Sequence, residues 1–535
     1  MKSIRSRFLC LAVLLCGALS VFAATSATVE KWGVFELELK GPEDGNPFVD
    51  VRLSAVFTNG ATTLEVPGFY DGDGVYRVRF MPSAVGEWRY ETKSNRWPLT
   101  GKLGSFTATA PSKGNRGPVR VFNTFHFAYA DGTPFKQIGT TIYNWLDTPE
   151  EVQERTLQTL AAAPFNKARM LITQQPNPYQ GKFAPPRWPF AGRPPHAWDF
   201  TRFNPDFFRH YELRLAQLRD LGIEADLILF NPYGKWGFET MDAANEERYV
   251  RYVVARFAAF RNVWWSLANE FDFLRTKTMA DWDRLGALVQ ACDPYNHLRS
   301  IHNGSLLYDH NKPWVTHVSM QNGAAVEESG RAELYRDVWR KPVVYDEVKY
   351  EGKSEYRWGN LSGEEMVDRF WCGTVAGTYV GHGDYFFTVS EDTFTSFGGK
   401  LTGVSAPRLA FLRKILEDGP PQGLDPIDKW QDPNTAGVPG IYYLTYFGRE
   451  KPTAWTFQLY KNGVVDGQRY KVEVIDTWAM TITPVDGEFV TRKLDNYHFD
   501  ANGRSVALPG KAGMAIRVTR LGADGKPVKV ELPTD

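Results

Sequence analysis

The chain has 535 residues with 62 basic and 62 acidic side chains, so its formal net charge is zero. This length predicts two to four domains, because one hydrophobic core rarely extends beyond about 250–300 residues. The charge balance excludes the strongly basic surface with which proteins bind nucleic acid or an anionic membrane.

The N-terminus has the pattern of a secretory signal peptide. Basic residues precede an apolar run that ends in Val21-Phe22-Ala23, which fits a small-residue cleavage site. This run is too short for a membrane span, and no later run is long enough. We therefore predict a signal peptide over 1–23 and a secreted or periplasmic protein. Of the cysteines beyond it, Cys292 and Cys372 are expected to be free thiols.

The first part of the mature chain is predicted to be a β-sandwich. Residues 76–80 alternate apolar and basic side chains, as in a strand with one buried face. Asp71-Gly72-Asp73-Gly74 is typical of a turn, and it offers too few ligands for calcium. We assign 28–112 to this domain, followed by a Pro- and Gly-rich linker.

The middle of the chain alternates strand-like and helix-like runs, which predicts a (β/α)8 barrel over 119–418. Two sequences resemble helix-starting capping boxes, one at Thr148-Pro149-Glu150-Glu151 and one at Ser362-Gly363-Glu364-Glu365. A doubly wound open sheet is the alternative, but no phosphate-binding glycine pattern follows the first strand. The eight predicted strands are 135–139, 165–172, 223–230, 263–268, 298–302, 315–320, 342–345 and 378–387.

After a helix near 406–416 the strand pattern resumes, and we assign 428–535 to a second β-sandwich. The predicted fold is therefore α/β: a (β/α)8 TIM barrel flanked by N-terminal and C-terminal antiparallel β-sandwich domains.

Two glutamates stand at the ends of apolar barrel strands. Glu270 follows Asn269 at the end of the fourth strand, and Glu347 ends the seventh. Active sites of such barrels lie at the C-terminal ends of the strands, where the fourth and seventh face each other. Retaining glycoside hydrolysis needs two carboxyls about 5–5.5 Å apart. We predict Glu270 as general acid/base and Glu347 as nucleophile.

Other readings of these glutamates stay open. Each could instead form an ion pair or a helix cap at a strand end. Asp346 is the nearest rival, but strand alternation would turn it and Glu347 to opposite faces, so that only one enters the mouth. Glu351 and Asp272 are weaker rivals.

Further strand-end side chains are candidates for binding substrate. Trp145 could floor a sugar subsite or belong to the core. Arg169 could keep the nucleophile ionised or pair with a barrel carboxylate. Asn269 could hydrogen-bond a sugar 2-hydroxyl. The full set is Asn144, Trp145, Arg169, Asn231, Tyr233, Trp236, Asn269, His302, Asn303, Gln321 and His382, with Gln174, Gln175, His317 and Asp384 as further polar residues of these strand ends.

No metal or cofactor is expected. The nine histidines are scattered, without an HExxH pair or a cysteine cluster. The sequence also lacks a G-x-S-x-G elbow and a P-loop pattern.

Three segments carry a resemblance to a known family. Residues 342–352, PVVYDEVKYEG, are similar to the P-V-x-x-x-E-x-x-Y-E-G motif of the apiosidase-like barrel family of clan A glycoside hydrolases. Residues 398–413 resemble its closing segment, and 29–36 resembles a sandwich domain often fused to such barrels. The resemblance implies retaining hydrolysis, with β-linked sugars preferred. Members tend to have Asp where this chain has Asn269-Glu270, so apiose itself is not implied.

The predicted function is retaining hydrolysis of O-glycosidic bonds in a polysaccharide or oligosaccharide, with no nucleic-acid partner and no membrane span. The alternative is a non-catalytic carbohydrate-binding or surface glycan-adhesion protein that uses the barrel as a platform.

Overall fold

The computed structural model describes residues 27–174, 185–234, 236–387, 393–428, 430–460 and 462–530. The predicted signal peptide and Gln175 lie outside these ranges. A sandwich, a parallel barrel and a second sandwich follow one another along the chain, which confirms the predicted fold class. Among the described helices, none has the length and apolar character needed to cross a membrane.

The N-terminal domain is a seven-stranded sheet folded into two layers. Thr62–Tyr70 pairs with neighbours in both layers. Phe35 stacks on Phe106, and Phe57 on Phe80, each with ring centroids 4.0 Å apart, so aromatic rings fill the space between the layers. The pairing is antiparallel except between the first and last strands. The strands are Ala27–Glu30, Phe35–Lys40, Leu53–Asn59, Thr62–Tyr70, Val75–Phe80, Gly86–Ser94 and Leu103–Thr109.

Eight parallel strands, numbered here as barrel strands 1 to 8, form the barrel. Strands 5 and 6 are the edges of the hydrogen-bonded sheet, and an isolated parallel bridge between His302 and Ser319 joins them and completes the ring. In order the strands are Gly139–Thr141, Lys167–Leu171, Glu224–Phe230, Val263–Ala268, Arg299–Ser300, Val318–Gln321, Val343–Glu347 and Tyr379–His382.

Helices cover the barrel everywhere except between strands 5 and 6, where the described residues 301–317 contain no helix. The capping box at Ser362 is confirmed, with both reciprocal hydrogen bonds to Glu365. The one expected at Thr148 is wrong: its hydroxyl donates to the Trp145 carbonyl at 2.6 Å, and Pro149 takes the N-cap position. The barrel helices are Glu150–Ala162, Pro205–Asp220, Ala243–Phe257, Met279–Cys292, Ser329–Trp339, Gly363–Val375, Phe394–Phe397 and Ala406–Glu417.

The base of the barrel is closed by an antiparallel pair, Val119–Phe122 with His126–Tyr129. Phe135 packs there with Phe127 and Trp264, so the apolar run expected to form strand 1 is a plug, and strand 1 starts four residues later. At the other end, a second antiparallel pair lies between strand 2 and the following helix, at Phe190–Arg193 and Ala197–Phe203.

A buried ion cluster joins the first domain to the barrel. Arg256 donates to Asp71 at 2.8 Å and to Glu212 at 2.6 Å, and Arg79 also binds Glu212. Asp71 belongs to the Asp-Gly-Asp-Gly turn of the first domain, and its partner Arg256 lies on a barrel helix. The turn therefore fixes the two domains together.

The C-terminal domain is a nine-stranded antiparallel sheet with an extra two-stranded pair. Phe457 stacks on Phe489 at 5.0 Å inside a separate apolar core. Its strands are Asp425–Asp428, Asp432–Val438, Tyr442–Tyr446, Ala454–Thr456, Gln458–Tyr460, Arg469–Asp476, Thr481–Pro484, Phe489–Leu494, Tyr497–Asp500, Ser505–Ala507 and Met514–Leu521.

Candidate active site

A cavity of about 830 Å³ opens at the C-terminal ends of the barrel strands, where both predicted catalytic glutamates lie in its wall. Tyrosine, tryptophan, amide and hydroxyl side chains make up most of the remaining wall, which suits the apolar faces and hydroxyls of sugars. The described lining residues are Tyr143, Tyr233, Glu270, Phe273, Asn303, Gly304, Ser305, Leu307, Gln321, Asn322, Gly323, Glu347, Tyr350, Tyr356, Arg357, Trp358, Tyr385, Thr395 and Ser396.

Glu347 is buried and surrounded by hydrogen-bond donors. The Tyr143 hydroxyl donates to its Oε1, Tyr350 also hydrogen-bonds it, and His302 Nε2 lies 3.6 Å from Oε1. Burial, reinforced by the charge of Glu347, raises the pKa of Tyr143 and of Tyr350 well above 10. Both phenols therefore keep their protons and can donate to this carboxyl.

A register shift brings Glu347 into the cavity. The pairing of strands 6 and 7 slips between Met320 and Gln321, so Met320 lies opposite Tyr345 but Gln321 lies opposite Glu347. Such a bulge re-aims side chains at a strand end. Asp346 and Glu347 therefore both turn inward, Asp346 into the barrel and Glu347 into the mouth. The expected turn of these neighbours to opposite faces is wrong, because alternation fails at the bulge.

Asp346 belongs to an ion cluster inside the barrel, below the cavity. Lys167 Nζ lies 2.6 Å from Asp346 and 2.7 Å from Asp226, and Arg169 lies 3.1 Å from Asp226. Although burial alone would raise it, these cations hold the pKa of Asp346 well below its usual range. Of the two roles expected for Arg169, the structure places it with barrel carboxylates.

Glu270 differs from Glu347 in its surroundings. The Tyr233 hydroxyl donates to its Oε2, and Gln321 Nε2 donates to its Oε1 at 2.8 Å. Burial raises the pKa of Glu270 to about 7, and the nearby charge of Glu347 is the second cause of this rise. At neutral pH this carboxyl is thus protonated in a substantial fraction of molecules.

The backbone of Glu270 is left-handed, with φ 44° and ψ 53°. A non-glycine residue rarely adopts this region, and such strain is concentrated at functional sites. Just before it, Asn269 is fixed from two sides: its amide donates to the Tyr233 hydroxyl at 2.9 Å, and its carbonyl accepts from Arg169 at 3.0 Å. The strand end therefore presents both side chains in one orientation.

The structure brings some of the predicted binding residues to the cavity. Tyr233, Asn303 and Gln321 line it, and Asn269 and His302 lie directly behind the two glutamates.

Other predicted binding residues lie outside the lining. Trp145 is completely buried in the core, with the Arg214 guanidinium 5.8 Å from its ring. His382 stacks on Phe165 at 4.8 Å on the outer face of the barrel wall, because its strand position points towards the helices.

Three more of these residues shape the surrounding loops. The backbone N–H of Asn144 donates to the Ser396 carbonyl at 2.6 Å. Asn231 donates to the Thr173 carbonyl and accepts from the Tyr233 backbone, so it positions the loop that carries Tyr233. Trp236 packs edge-on against a neighbouring tryptophan, and its carbonyl accepts from another.

The two weaker carboxylate rivals anchor loops. Asp272 accepts from three consecutive backbone N–H groups, Gly304 to Leu306, at 2.5–2.8 Å. Glu351 accepts from the backbone N–H groups of Val404 and Ser405 at 2.7 and 3.2 Å.

Sequence reasoning missed several wall residues. Tyr143 immediately precedes the predicted Asn144, and Tyr350 lies inside the motif segment 342–352, so the sequence offered a signal from which both could have been predicted. Tyr356, Arg357 and Trp358 lie on the loop after strand 7, where no periodic pattern marks them. Within the described ranges, no group of three or more His, Cys, Asp or Glu side chains is arranged to hold a metal.

Comparison with known proteins covers all three domains. Residues 123–384 match the model of the apiosidase-like catalytic domain, residues 28–95 match the domain of unknown function DUF5060, and residues 430–519 match DUF5605. A search of curated proteins finds no match.

Solved structures resemble the chain over most of its length. A protein from Bacteroides vulgatus ATCC 8482, provisionally described as a glycoside hydrolase, is 42% identical with a TM-score of 0.90 over 92% of this chain and 100% of its own. A family 5 glycoside hydrolase from the same organism (16% identity, TM-score 0.57, 77% of this chain and 95% of its own) and another glycoside hydrolase (14%, 0.55, 78% and 100%) share the fold.

The barrel, its two-glutamate cavity and these relatives define the protein as a glycoside hydrolase, an enzyme whose substrate is a carbohydrate. The chain belongs to the apiosidase-like family, with a DUF5060 domain before the barrel and a DUF5605 domain after it.

Proposed function

We propose that the enzyme hydrolyses O-glycosidic bonds with retention of anomeric configuration, with Glu347 as nucleophile and Glu270 as general acid/base. One observation carries the proposal: two carboxyls of one cavity, Glu347 buried and Glu270 half-buried, have opposite environments. Glu347 accepts from phenols that keep their protons, whereas burial raises the pKa of Glu270 to about 7. When two carboxyls of one site have such different surroundings, the one whose protonated form is favoured acts as the acid and the other acts as the carboxylate.

The proposed reaction has two displacements. In the first, a Glu347 carboxylate oxygen bonds to the anomeric carbon, the glycosidic bond breaks, and Glu270 gives its proton to the leaving oxygen. In the second, Glu270 takes a proton from water, the water oxygen bonds to the anomeric carbon, and Glu347 leaves as a carboxylate. Atoms and charges balance over the cycle, and Glu270 ends protonated.

The neighbouring groups have definite tasks in this scheme. Tyr143 stabilises the carboxylate charge of Glu347 before attack and after release. We propose that Asn269, whose side chain is oriented by Arg169 and Tyr233, donates to a sugar 2-hydroxyl, an interaction that strengthens at the transition state. We further propose β-linked oligosaccharide or polysaccharide substrates, from the family resemblance, and export through the predicted signal peptide.

Carboxamide variants test these roles. Glu347→Gln and Glu270→Gln keep the size of each side chain but remove nucleophilic charge or transferable proton. We expect each to lower kcat on the best substrate of a glycan panel by about 10³-fold or more. Residues that act as a catalytic unit depend on one another, so losing one costs nearly as much rate as losing both. Glu355→Gln, an exposed residue on the loop after strand 7, is the matched control and should keep full activity.

The stereochemical course is tested separately by ¹H NMR of the first product formed. A product anomer identical to that of the substrate supports the double displacement. The opposite anomer would overturn retention but leave hydrolysis intact, whereas full activity of both glutamine variants would overturn the proposed residue roles.

A further inference from the structure

We propose that the substrate carries an anionic group within this cavity and that Arg357 recognises it. This inference rests on the proposed function, because it concerns the same cavity. The anionic group is a carboxylate, as in a uronic acid, or a sulfate ester, since a guanidinium binds the oxygens of both.

The charge pattern of the cavity is the first observation. Its charged wall residues are Glu270, Glu347 and Arg357. Glu270 and Glu347 are buried or nearly so and are engaged by tyrosine and glutamine donors, whereas Arg357 is exposed to the cavity. Arg357 is therefore the single cation among the described residues of this wall.

The second observation is that Arg357 has no protein partner among the described residues, neither an ion pair nor a hydrogen bond. Other arginines of the barrel are engaged: Arg169 holds Asp226 and Asn269, and Arg214 holds Glu154. A guanidinium has five donors in a planar fork that matches two oxygens of one anionic group. The Arg357 guanidinium is therefore available to bind an anionic group of a substrate in the cavity.

The third observation is that the loop carrying Arg357 is firmly held. The Tyr350 N–H donates to the Trp358 carbonyl at 2.7 Å, and the Gly359 N–H donates to the Tyr356 carbonyl at 2.9 Å. A β-carbon on Gly359 would lie 2.2 Å from the Tyr385 ring, so the loop packs against that ring without spare room. Pre-organised donors bind with a smaller ordering cost than mobile ones.

These observations favour selection by local charge. The chain has no net charge, so no general attraction of anionic glycans is expected. Tyrosine, asparagine and glutamine already offer the wall hydrogen bonds suited to neutral hydroxyls. An unpaired guanidinium adds little binding energy for a neutral sugar. For an anionic sugar it can form two parallel, charge-assisted hydrogen bonds, which bind more strongly.

The test compares matched glycan sets. One set is uronic-acid-rich pectin oligosaccharides and the same material after carboxyl reduction; the other is sulfated galactan oligosaccharides and their desulfated forms. We expect kcat/KM at least about 10-fold higher on one anionic form than on its neutral counterpart. Whichever pair shows the preference identifies the anionic group.

Variants then assign the preference to Arg357. Arg357→Gln should lower kcat/KM about 10–100-fold on the anionic form and less than about 3-fold on the neutral form. Arg357→Lys should retain part of the preference, mainly at low salt. Lys353→Gln removes a positive charge from the same loop outside the cavity wall and should keep the wild-type preference.

Two results would overturn the inference. One is equal activity of the wild type on charged and neutral forms. The other is an equal loss by Arg357→Gln on both forms, which would place Arg357 in support of Glu347. If no glycan is cleaved, the proposed function fails, and calorimetric titration of the wild type with the same oligosaccharides decides the inference: binding of neutral and anionic forms with equal affinity overturns it.

Discussion

The pKa of Glu270 gives the most direct quantitative prediction. Burial raises this pKa to about 7, whereas the hydrogen bonds from Tyr233 and Gln321 act in the opposite direction because they favour the ionised carboxylate. A hydrogen bond to a charged acceptor contributes about 1.5–3 kcal/mol, against about 0.5–1.5 for a neutral one. Loss of one donor therefore disfavours ionisation by about 1–1.5 kcal/mol, or roughly one pKa unit at 1.36 kcal/mol per unit.

Tyr233→Phe is accordingly expected to raise the pKa of Glu270 from about 7 to about 8. The assay is the pH dependence of kcat/KM on a glycoside with a poor leaving group, because its alkaline limb reports the general acid of the free enzyme. The limb should move towards higher pH even though the rate itself falls. Tyr249→Phe, which removes a phenol that donates to the Leu229 carbonyl away from the cavity, is the control. An alkaline limb that stays in place or moves down in Tyr233→Phe would refute this reasoning.

Three further predictions concern the scaffold. Asp71→Asn should lower the free energy of unfolding by about 3–5 kcal/mol in denaturant titrations, since the buried guanidinium of Arg256 loses a carboxylate partner. Asp73→Asn, at an exposed position, should leave it unchanged. The pKa of Asp71 is lowered in the folded protein, so its contribution to stability is fully present above the unfolded pKa of about 3.9 and is lost as the pH falls through the folded value. Lys167→Met leaves Asp226 and Asp346 to share the positive charge of Arg169, so we expect a lower melting temperature. An unchanged melting temperature would contradict the role of Lys167 in this ion cluster. Gly359→Ala should displace the loop over the cavity and raise KM about 10-fold, whereas Gly114→Ala, with open space around it, should not.

The order of the barrel was predictable because its signals are local. Apolar runs such as 263–268 end in the same residues that end the strands, and the Ser362 capping box starts a helix as expected. Strand 1 was misplaced because an apolar run that plugs the base of a barrel looks the same in sequence as a buried strand.

The cavity was predictable only in part. Strand ends indicate which residues reach the mouth, which placed Tyr233 and Gln321 there. They do not show a register shift, so Asp346 and Glu347 were expected to turn to opposite faces of the strand. They also do not indicate loop residues such as Arg357, whose place depends on backbone contacts between distant segments.

The ion cluster between the first sandwich and the barrel bears on how the catalytic module can be isolated. Arg79, whose guanidinium lies 5.0 Å from the Phe69 ring, comes from the first sandwich but meets Glu212 of a barrel helix. Tyr252 of the next helix packs against Phe69 as well. A shortened gene that begins at residue 119 would give a polypeptide whose helices present bare aromatic rings and an under-neutralised carboxylate to water. Such a fragment should aggregate during expression, so the two modules are best engineered as one unit.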